Sequence, residues 1–299
     1  MKIFLTGTTG YIGGSVAARL VAQGHTVTGL VRDGSKSDRL RAAGIHPVIG
    51  SLDDPEVLTR EARAADGVVN TANADHLPSV QVLLEALTGS GKPFLHTSGS
   101  SLVGDDVRGN TLSEAIFDET TPFVVQPAKQ ARQALNQGVI DAATQGVRSV
   151  VICPTLIYGQ GAGLNPHSIQ IPFLVDQARR NGVVQVVGRG VNRWSTVHID
   201  DLAQLYVLAL EKAPAGAFYF AENGESSFAE IGAAIAARLG LGPVSSVPAE
   251  EMAAQWGPAR AYYTFGSNSR VRARRARADL GWTPRHASAL AWIRDDMSI

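Results

Sequence analysis

The amino-acid sequence predicts an α/β protein built on a doubly wound parallel sheet, because short apolar runs alternate with helical patterns through its first half. Most helical stretches carry apolar residues three and four positions apart and end at Gly or Asp. The apolar runs are nearly continuous, as in parallel strands that helices cover on both faces. Right-handed crossovers between such strands favour the doubly wound topology.

Six apolar runs are the predicted strands, and the helical stretches between them are the crossovers. The strands are residues 2–5, 25–31, 46–50, 67–70, 93–96 and 148–153. The second half is less regular. It contains helical patterns and one isolated strand, "GAFYFA" at 216–221, and we expect residues 267–284 to be helical.

Composition excludes several classes of protein. The 299 residues carry no net charge and 18% charged side chains, so no overall field draws nucleic acid or an acidic membrane. The single cysteine, Cys153, excludes an internal disulfide and a cysteine-based metal cluster, and we predict no metal site. No stretch reaches the roughly 18 apolar residues of a membrane helix. We therefore expect a cytoplasmic protein with no membrane partner.

The stretch "TGTTGYIGG" separates the first predicted strand from the first helix and places Gly7, Gly10 and Gly13 three residues apart. In a strand–turn–helix unit, glycines permit the tight turn, the approach of a pyrophosphate to the main chain, and close packing of helix on strand. The helix start offers free N–H groups and a positive dipole end to the same anion. The sequence thus predicts a dinucleotide site.

The second strand bears on which dinucleotide binds. It ends in Val31 followed by Arg32 and Asp33, whereas an NAD site usually has a carboxylate at the strand tip for the ribose hydroxyls. Arg32 suits a 2′-phosphate, which a guanidinium binds in a bidentate manner. We favour NADP and keep NAD as the alternative.

These features, taken with later motifs, resemble the extended short-chain dehydrogenase/reductase family, of the NAD-dependent epimerase/dehydratase type. The motifs occur in the family's order along nearly the whole chain: "TGTTGYIGG", "PFLHTSGSSLVG", "FDETTPF", "VVICPTLIYGQG", "NRWSTVHIDDLAQLY" and "ADLGWTP". The resemblance implies a Rossmann-type domain over residues 1–160, rejoined by 192–222. It also implies a small substrate-binding cap from 161–191 and 223–299.

The chain departs from the catalytic pattern of this family, which uses a Tyr-x-x-x-Lys pair on a helix and a Ser or Thr after the fifth strand. Four residues before Lys129 stands Val125, not tyrosine, and the Ser/Thr position falls on Gly99, between Ser98 and Ser100. The chain thus resembles the atypical members that lack the catalytic tyrosine. The acidic position after the third strand, which contacts adenine in the family, is likewise replaced by Ser51.

Candidate site residues follow from these motifs. The candidate catalytic residues are Ser98, Ser100, Lys129 and Tyr158, with the proton coming from Tyr158, a serine hydroxyl or a water that they hold. Lys129 is also expected to bind the nicotinamide ribose. The predicted cofactor-binding residues are Gly7, Thr9, Gly10, Tyr11, Ile12, Gly13, Arg32, Ser51, Leu52, Thr71, Ala72, Asn73, Thr97, Lys129 and Pro154.

Three functions remain open from the sequence. The first is an NAD(P)-dependent oxidoreductase acting on a small carbonyl or hydroxyl compound. The second is a dinucleotide-binding regulator or redox sensor without turnover. The third is a nucleotide-sugar epimerase or dehydratase, in which Arg270 or Arg272 would face the substrate diphosphate, although a solvated helix face is the preferred interpretation of these arginines. Relatives often pair through two helices flanking the sheet, so a homodimer is one expectation.

Overall fold

The computed structural model describes residues 1–298, and its strands are numbered here in chain order. The strands are β1 (Lys2–Thr6), β2 (Thr26–Val31), β3 (Ile45–Ile49), β4 (Gly67–Asn70), β5 (Pro93–Thr97), β6 (Arg148–Pro154), β7 (Leu156–Tyr158), β8 (Gln185–Val187), β9 (Arg193–His198), β10 (Ala217–Ala221), β11 (Glu225–Ser227) and β12 (Ser245–Val247).

The helices are numbered in the same way. They are α1 (Tyr11–Ala22), α2 (Ser37–Ala42), α3 (Pro55–Ala64), α4 (Leu77–Leu87), α5 (Gln130–Asp141), α6 (Gln170–Asn181), α7 (Ile199–Lys212), α8 (Phe228–Leu239), α9 (Ala249–Trp256), α10 (Arg274–Leu280) and α11 (Ala289–Asp295). Among residues 1–298, no helix combines the length and apolarity needed to cross a bilayer.

A seven-stranded sheet with the order β3-β2-β1-β4-β5-β6-β10 forms the centre of the molecule. All its neighbouring strands run parallel. The six predicted strands are β1 to β6, so the predicted doubly wound sheet is confirmed. The single strand expected at 216–221, within the segment 192–222 expected to rejoin the Rossmann-type domain, is β10, and it pairs with β6 at the edge of this sheet.

The chain changes direction across this sheet between β1 and β4, which are neighbours in space but separated in sequence. After β1 the strands are added towards β3, and from β4 onwards they are added towards β10. The loops that follow β1 and β4 therefore leave in opposite directions and open a crevice at the carboxyl edge of the sheet. Ligands of doubly wound sheets bind in this kind of crevice.

The cap contains two small sheets, β11-β9-β7 and β12-β8, with α6, α8, α9 and α11. Its apolar core, which includes Phe228, Trp256 and Phe265, is separate from the core under the main sheet. Strands β7 and β9 fall in segments that the sequence assigned to the Rossmann-type domain. In the structure they pair with each other and join the cap sheet.

The expectation that residues 267–284 are helical is wrong for the first part of this segment, since α10 begins only at Arg274. Ser269 and Val271 instead form β-bridges with Trp194 and Phe117. The physical reason lies in the polar side chains, which hydrogen-bond to other segments and so compete with the helix. The Asn268 amide, for example, donates to Asp105 and to the Thr111 carbonyl.

Candidate nucleotide groove and active site

The turn between β1 and α1 leaves its main chain bare. Gly7 has a φ of +76°, and a Cβ added to it would lie 2.8 Å from the backbone of Ala72. A Cβ on Gly13 would lie 2.3 Å from the carbonyl oxygen of Gly7. Both positions therefore require glycine. Because Gly10, the residue before α1, has no capping side chain and the first helical turn has no acidic residue, the helix start favours an anion.

Two cavities meet over this turn and share Gly10, Thr71 and Ala72, so they form one groove. The first, of about 360 Å³, is lined by Gly7, Gly10, Leu30, Arg32, Gly50, Ser51, Leu52, Thr71, Ala72 and Asn73. The second, of about 310 Å³, is lined by Gly10, Tyr11, Ile12, Gly13, Thr71, Ala72, Thr155, Ile157, Asn165, His167, Ser168, Ile169 and Gln170.

Eleven of the fifteen predicted cofactor-binding residues line this groove, and the structure brings them together across the crevice between β1 and β4. The other four, Thr9, Thr97, Lys129 and Pro154, do not line either cavity. Thr97 is buried, and its hydroxyl shares a 2.6 Å hydrogen bond with Tyr206. Sequence reasoning missed the other residues that line the groove, which are Leu30, Gly50, Thr155, Ile157, Asn165, His167, Ser168, Ile169 and Gln170.

The first cavity presents a cation and no carboxylate. Arg32 lines it, and its side chain is exposed to solvent. The carboxylate of Asp33 is occupied elsewhere, because it accepts a 2.8 Å hydrogen bond from the Ser35 N–H and caps the short helical turn Gly34–Lys36. Ser51 lines the cavity where the family has an acidic residue.

Polar side chains from three segments meet at the carboxyl edge of β5, and we call Ser98, Asn136, Arg132 and Asp75 the β5-edge cluster. Ser98 is buried, and its hydroxyl accepts a 2.8 Å hydrogen bond from the Asn136 amide on α5. One turn earlier on α5, the Arg132 guanidinium donates through Nε to Asp75 Oδ1 at 2.7 Å. Sequence reasoning missed Asn136, Arg132 and Asp75.

Lys129 and Ser100, two further candidate catalytic residues, have different surroundings near this edge. Lys129 precedes α5 and is partly buried, and burial lowers its pKa, with Arg132 adding to the effect. Ser100 is buried, and its hydroxyl accepts a 2.8 Å hydrogen bond from Ser269, which ties β5 to the cap. Of the two serines, only Ser98 belongs to the β5-edge cluster.

The structure argues against Tyr158 as a proton donor. Strand β7 enters the cap sheet, so the ring is fully buried between His198 and Trp292. Its hydroxyl donates a 2.8 Å hydrogen bond to the His286 carbonyl. Burial also raises its pKa, which makes the phenol a poorer acid. Tyr158 therefore fastens the carboxyl-terminal segment to the cap.

The other buried tyrosines do not take the place of the family's catalytic tyrosine at the β5 edge. Of the six tyrosines in the chain, Tyr11, Tyr206 and Tyr219 are also buried and have hydroxyl partners: the Gly159 carbonyl, Thr97 and Asp279. The side chains that face Ser98 and Gly99 from α5 are Asn136 and Arg132.

The preferred interpretation of Arg270 and Arg272 as a solvated helix face is wrong, because both precede α10 and bind an acid. Arg270 is only 9% exposed, and its Nη2 lies 2.9 Å from Glu225. Arg272 contacts the other oxygen of the same carboxylate at 3.1 Å. Glu225 thus neutralises part of this positive charge.

A third cavity, of about 510 Å³, adjoins the groove on the cap side. It shares His167, Ser168 and Ile169 with the second cavity and is lined further by aromatic and apolar residues such as Phe173 and Trp292. The groove therefore continues from the glycine turn into a space between the loop after β7, α6 and the carboxyl-terminal segment.

Comparison with known proteins agrees with a nucleotide groove at the edge of a doubly wound sheet. The model of the NAD dependent epimerase/dehydratase family matches residues 3–219. Oxidase ucsJ of Acremonium sp is 35% identical, with 95% of this chain and 92% of that protein covered. A 4-hydroxy-2-methyl-3-oxo-4-farnesyl-3,4-dihydroquinoline-1-oxide ketoreductase of Stigmatella aurantiaca is 28% identical, with 75% of this chain and 69% of that protein covered.

Among solved structures, dTDP-glucose 4,6-dehydratase from Bacillus anthracis in complex with NAD superposes with a TM-score of 0.77. It is 17% identical, and the match covers 98% of this chain and 94% of that one. At this identity the likeness concerns the fold. The family match and the glycine-lined groove together carry the conclusion that this chain belongs to the NAD dependent epimerase/dehydratase family, as an NAD(P)-binding enzyme of the oxidoreductase or epimerase type.

Proposed function

We propose that this chain is an NADP-preferring oxidoreductase that interconverts a carbonyl and a hydroxyl group on a small organic compound, with an active site that lacks the family's tyrosine. The observation that carries the cofactor preference is the cavity at the ends of β2 and β3, where Arg32 is present and Asp33 is turned away to Ser35. A 2′-phosphate there would gain a guanidinium partner without meeting a carboxylate.

The residues present fit a dinucleotide. The space that a Cβ would fill at Gly7 and Gly13 is the space that a pyrophosphate needs to approach the main chain. The α1 start would hold the diphosphate and Arg32 the 2′-phosphate, while Ile12 and Thr155 line the second cavity. When bound, such a nucleotide supplies or accepts a hydride at its nicotinamide.

The chain's own residues would bind and orient the substrate next to that groove. The third cavity offers an apolar space with a few polar groups, as is common for small-molecule sites. The names of the relatives, an oxidase and a ketoreductase, agree with redox chemistry on an organic compound. The buried Cys153 is consistent with the reducing environment of a cytoplasmic enzyme.

The nucleotide-sugar alternative is less well supported. It needs Arg270 or Arg272 to be available to a diphosphate, but both guanidinium groups contact Glu225. A substrate would have to displace a partly buried carboxylate from Arg270. The alternative of a regulator has the same nucleotide site but no turnover, so only a measurement of activity distinguishes it from the oxidoreductase.

The experiment is a fluorescence titration of the protein with NADPH and with NADH, for the wild type and for Arg32→Gln. A charge-assisted hydrogen-bonded contact is worth about 1.5–3 kcal/mol, which corresponds to about 10- to 100-fold in affinity. We expect wild type to prefer NADPH by about this factor, and Arg32→Gln to lose the preference by weakening NADPH binding while leaving NADH binding unchanged.

Arg41→Gln is the matched control, because Arg41 is an exposed arginine paired with Asp38 on α2. It should leave both affinities unchanged. Equal affinities of wild type for the two nucleotides would contradict the NADP preference. Absence of NADPH oxidation with a panel of ketones, aldehydes and 3-oxo esters, despite tight NADPH binding, would contradict the oxidoreductase and favour the regulator.

A further inference from the structure

The carboxyl end of β5 presents an open space in front of one guanidinium nitrogen. Gly99 follows Ser98 there and has an extended backbone, with a φ of −169°, which any residue can adopt. Apart from its chain neighbours Ser98 and Ser100, a Cβ added to Gly99 would have a single neighbour within 4 Å among residues 1–298, Arg132 Nη1 at 3.4 Å. The position where the family carries a hydroxyl is therefore empty and faces an arginine.

Asp75 fixes the orientation of this arginine. It accepts hydrogen bonds from both Nε and Nη2 of Arg132, which holds the planar guanidinium in one direction. Among the residues that the structure describes, the third nitrogen, Nη1, has only a long 3.4 Å contact with the Ser101 hydroxyl. The side chain is 16% exposed, so its charge is largely shielded from bulk water.

We infer that Arg132 is a catalytic residue whose Nη1 contacts the substrate's reacting oxygen over Gly99, in place of the hydroxyl groups that the family uses. The inference rests on the proposed function and deepens it. In the reduction, the carbonyl carbon would gain a hydride that the reduced nucleotide would supply when bound, and the nucleotide would be oxidised. The carbonyl π electrons move onto oxygen, and that oxygen takes a proton from water to give the alcohol.

Arg132 stabilises the negative charge on this oxygen and keeps its own protons. Its pair with Asp75 raises its pKa further above the range where an arginine can lose a proton. A preorganised donor aimed at a developing oxyanion typically contributes about 100- to 1000-fold in kcat. Ser98, buried behind Gly99 and bonded to Asn136, would support the edge without touching the oxygen.

The test combines turnover with a binding measurement. Straight-chain carboxylates from acetate to octanoate, whose oxygens carry the charge of an alkoxide, are titrated into the wild type in the presence of saturating NADP⁺, with the melting temperature as readout. We expect at least one of them to bind at millimolar concentration. Arg132→Gln should weaken that binding at least tenfold and lower kcat with a ketone substrate by about 100-fold.

Controls separate this role from cofactor binding and from folding. Arg132→Gln should bind NADPH within threefold of wild type, and Arg41→Gln, which removes an exposed arginine that also pairs with an aspartate, should change none of these values. Arg132→Lys keeps the charge and should retain part of the carboxylate affinity. A loss of NADPH affinity as large as the loss of kcat would overturn the inference and make Arg132 a cofactor ligand.

Gly99→Val tests the location independently, because its side chain fills the space in front of Nη1 without backbone strain. We expect it to abolish carboxylate binding while NADPH affinity stays within threefold. The inference would be overturned if carboxylate binding persisted in Gly99→Val. It would also be overturned if none of the carboxylates bound to the wild type. Failure of the wild type to bind NADPH at all would instead contradict the proposed function.

Discussion

The turn after β1 and the edge of β5 both lie at the carboxyl edge of the parallel sheet but are built from different parts. The turn presents main-chain groups, and it requires that Gly7 and Gly13 have no side chain, because a Cβ at either position would collide with neighbouring backbone. The β5 edge is made of side chains, and Arg132 reaches it from α5 while Asp75 reaches it from the loop after β4.

This difference explains why one region matches the family and the other departs from it. A bare main chain can bind the diphosphate that all dinucleotides share, so a side chain that displaces it is expected to weaken binding. A charged side chain can be replaced by another group of suitable charge, provided that a second residue orients it. At the β5 edge, Arg132 with Asp75 offers such a group where the tyrosine is absent.

The largest effect should come from Gly13→Ala, which tests the main-chain region. The new Cβ would lie 2.3 Å from the Gly7 carbonyl oxygen and 2.4 Å from the Thr71 hydroxyl, so the turn has to move away from α1. Because the shift displaces the N–H groups that hold the diphosphate, we expect NADPH affinity to fall by about 100-fold or more, equivalent to about 3 kcal/mol. Fluorescence titration measures this change.

Gly138→Ala is the matched control, since Gly138 also lies within a helix, α5, and a Cβ there meets nothing within 4 Å. It should leave NADPH affinity unchanged and stabilise the protein by about 0.5–1 kcal/mol. If Gly13→Ala bound NADPH as tightly as Gly138→Ala does, the main chain of the turn would not be the binding element.

The main-chain region could be predicted because its determinants are local. The apolar runs gave β1 to β6, and the glycines between β1 and α1 stood in the order that the turn requires. The cap was harder, because β7 leaves the main sheet directly after β6 and takes Tyr158 with it. A strand of three residues offers no period that would reveal which sheet it joins.

The β5-edge cluster could not be predicted, because its members are far apart in sequence. Arg132 and Asp75 are 57 residues apart, and nothing near either residue indicates the other. One local signal was present: Arg132 and Asn136 are four residues apart and share a face of α5. A buried asparagine on a helix needs a polar partner, and Ser98 is that partner.

The next effect concerns His96, which lies in β5 directly before this edge and is fully buried. Its Nδ1 faces the Asn70 amide at 3.1 Å, and the Asn70 carbonyl oxygen is taken by Thr6, so Nδ1 is an acceptor. Burial lowers the pKa of His96 from 6.5 to about 4. The neutral ring thus supports the fold, and protonation opposes it.

Because the folded-state pKa is the lower one, this contribution is fully present above pH 6.5 and is lost as the pH falls towards 4. The gap between the two pKa values corresponds to about 3 kcal/mol of unfolding free energy. The free energy of unfolding of the wild type, measured with urea, should fall across this pH interval. For His96→Gln the fall should be smaller by about 3 kcal/mol. The exposed His46→Gln should follow wild type, and an identical slope in all three proteins would contradict the assignment.

The smallest effect should come from Tyr158→Phe, which separates the cap from the chemistry at the β5 edge. The variant loses the hydrogen bond from the phenol to the His286 carbonyl but keeps the buried ring between His198 and Trp292. We expect the free energy of unfolding to fall by about 1 kcal/mol, as for a typical hydrogen bond. Turnover should stay within twofold of wild type, because the hydroxyl is bonded inside the cap. A large fall in kcat at unchanged stability would restore Tyr158 as a proton donor and remove the need for Arg132 at the β5 edge.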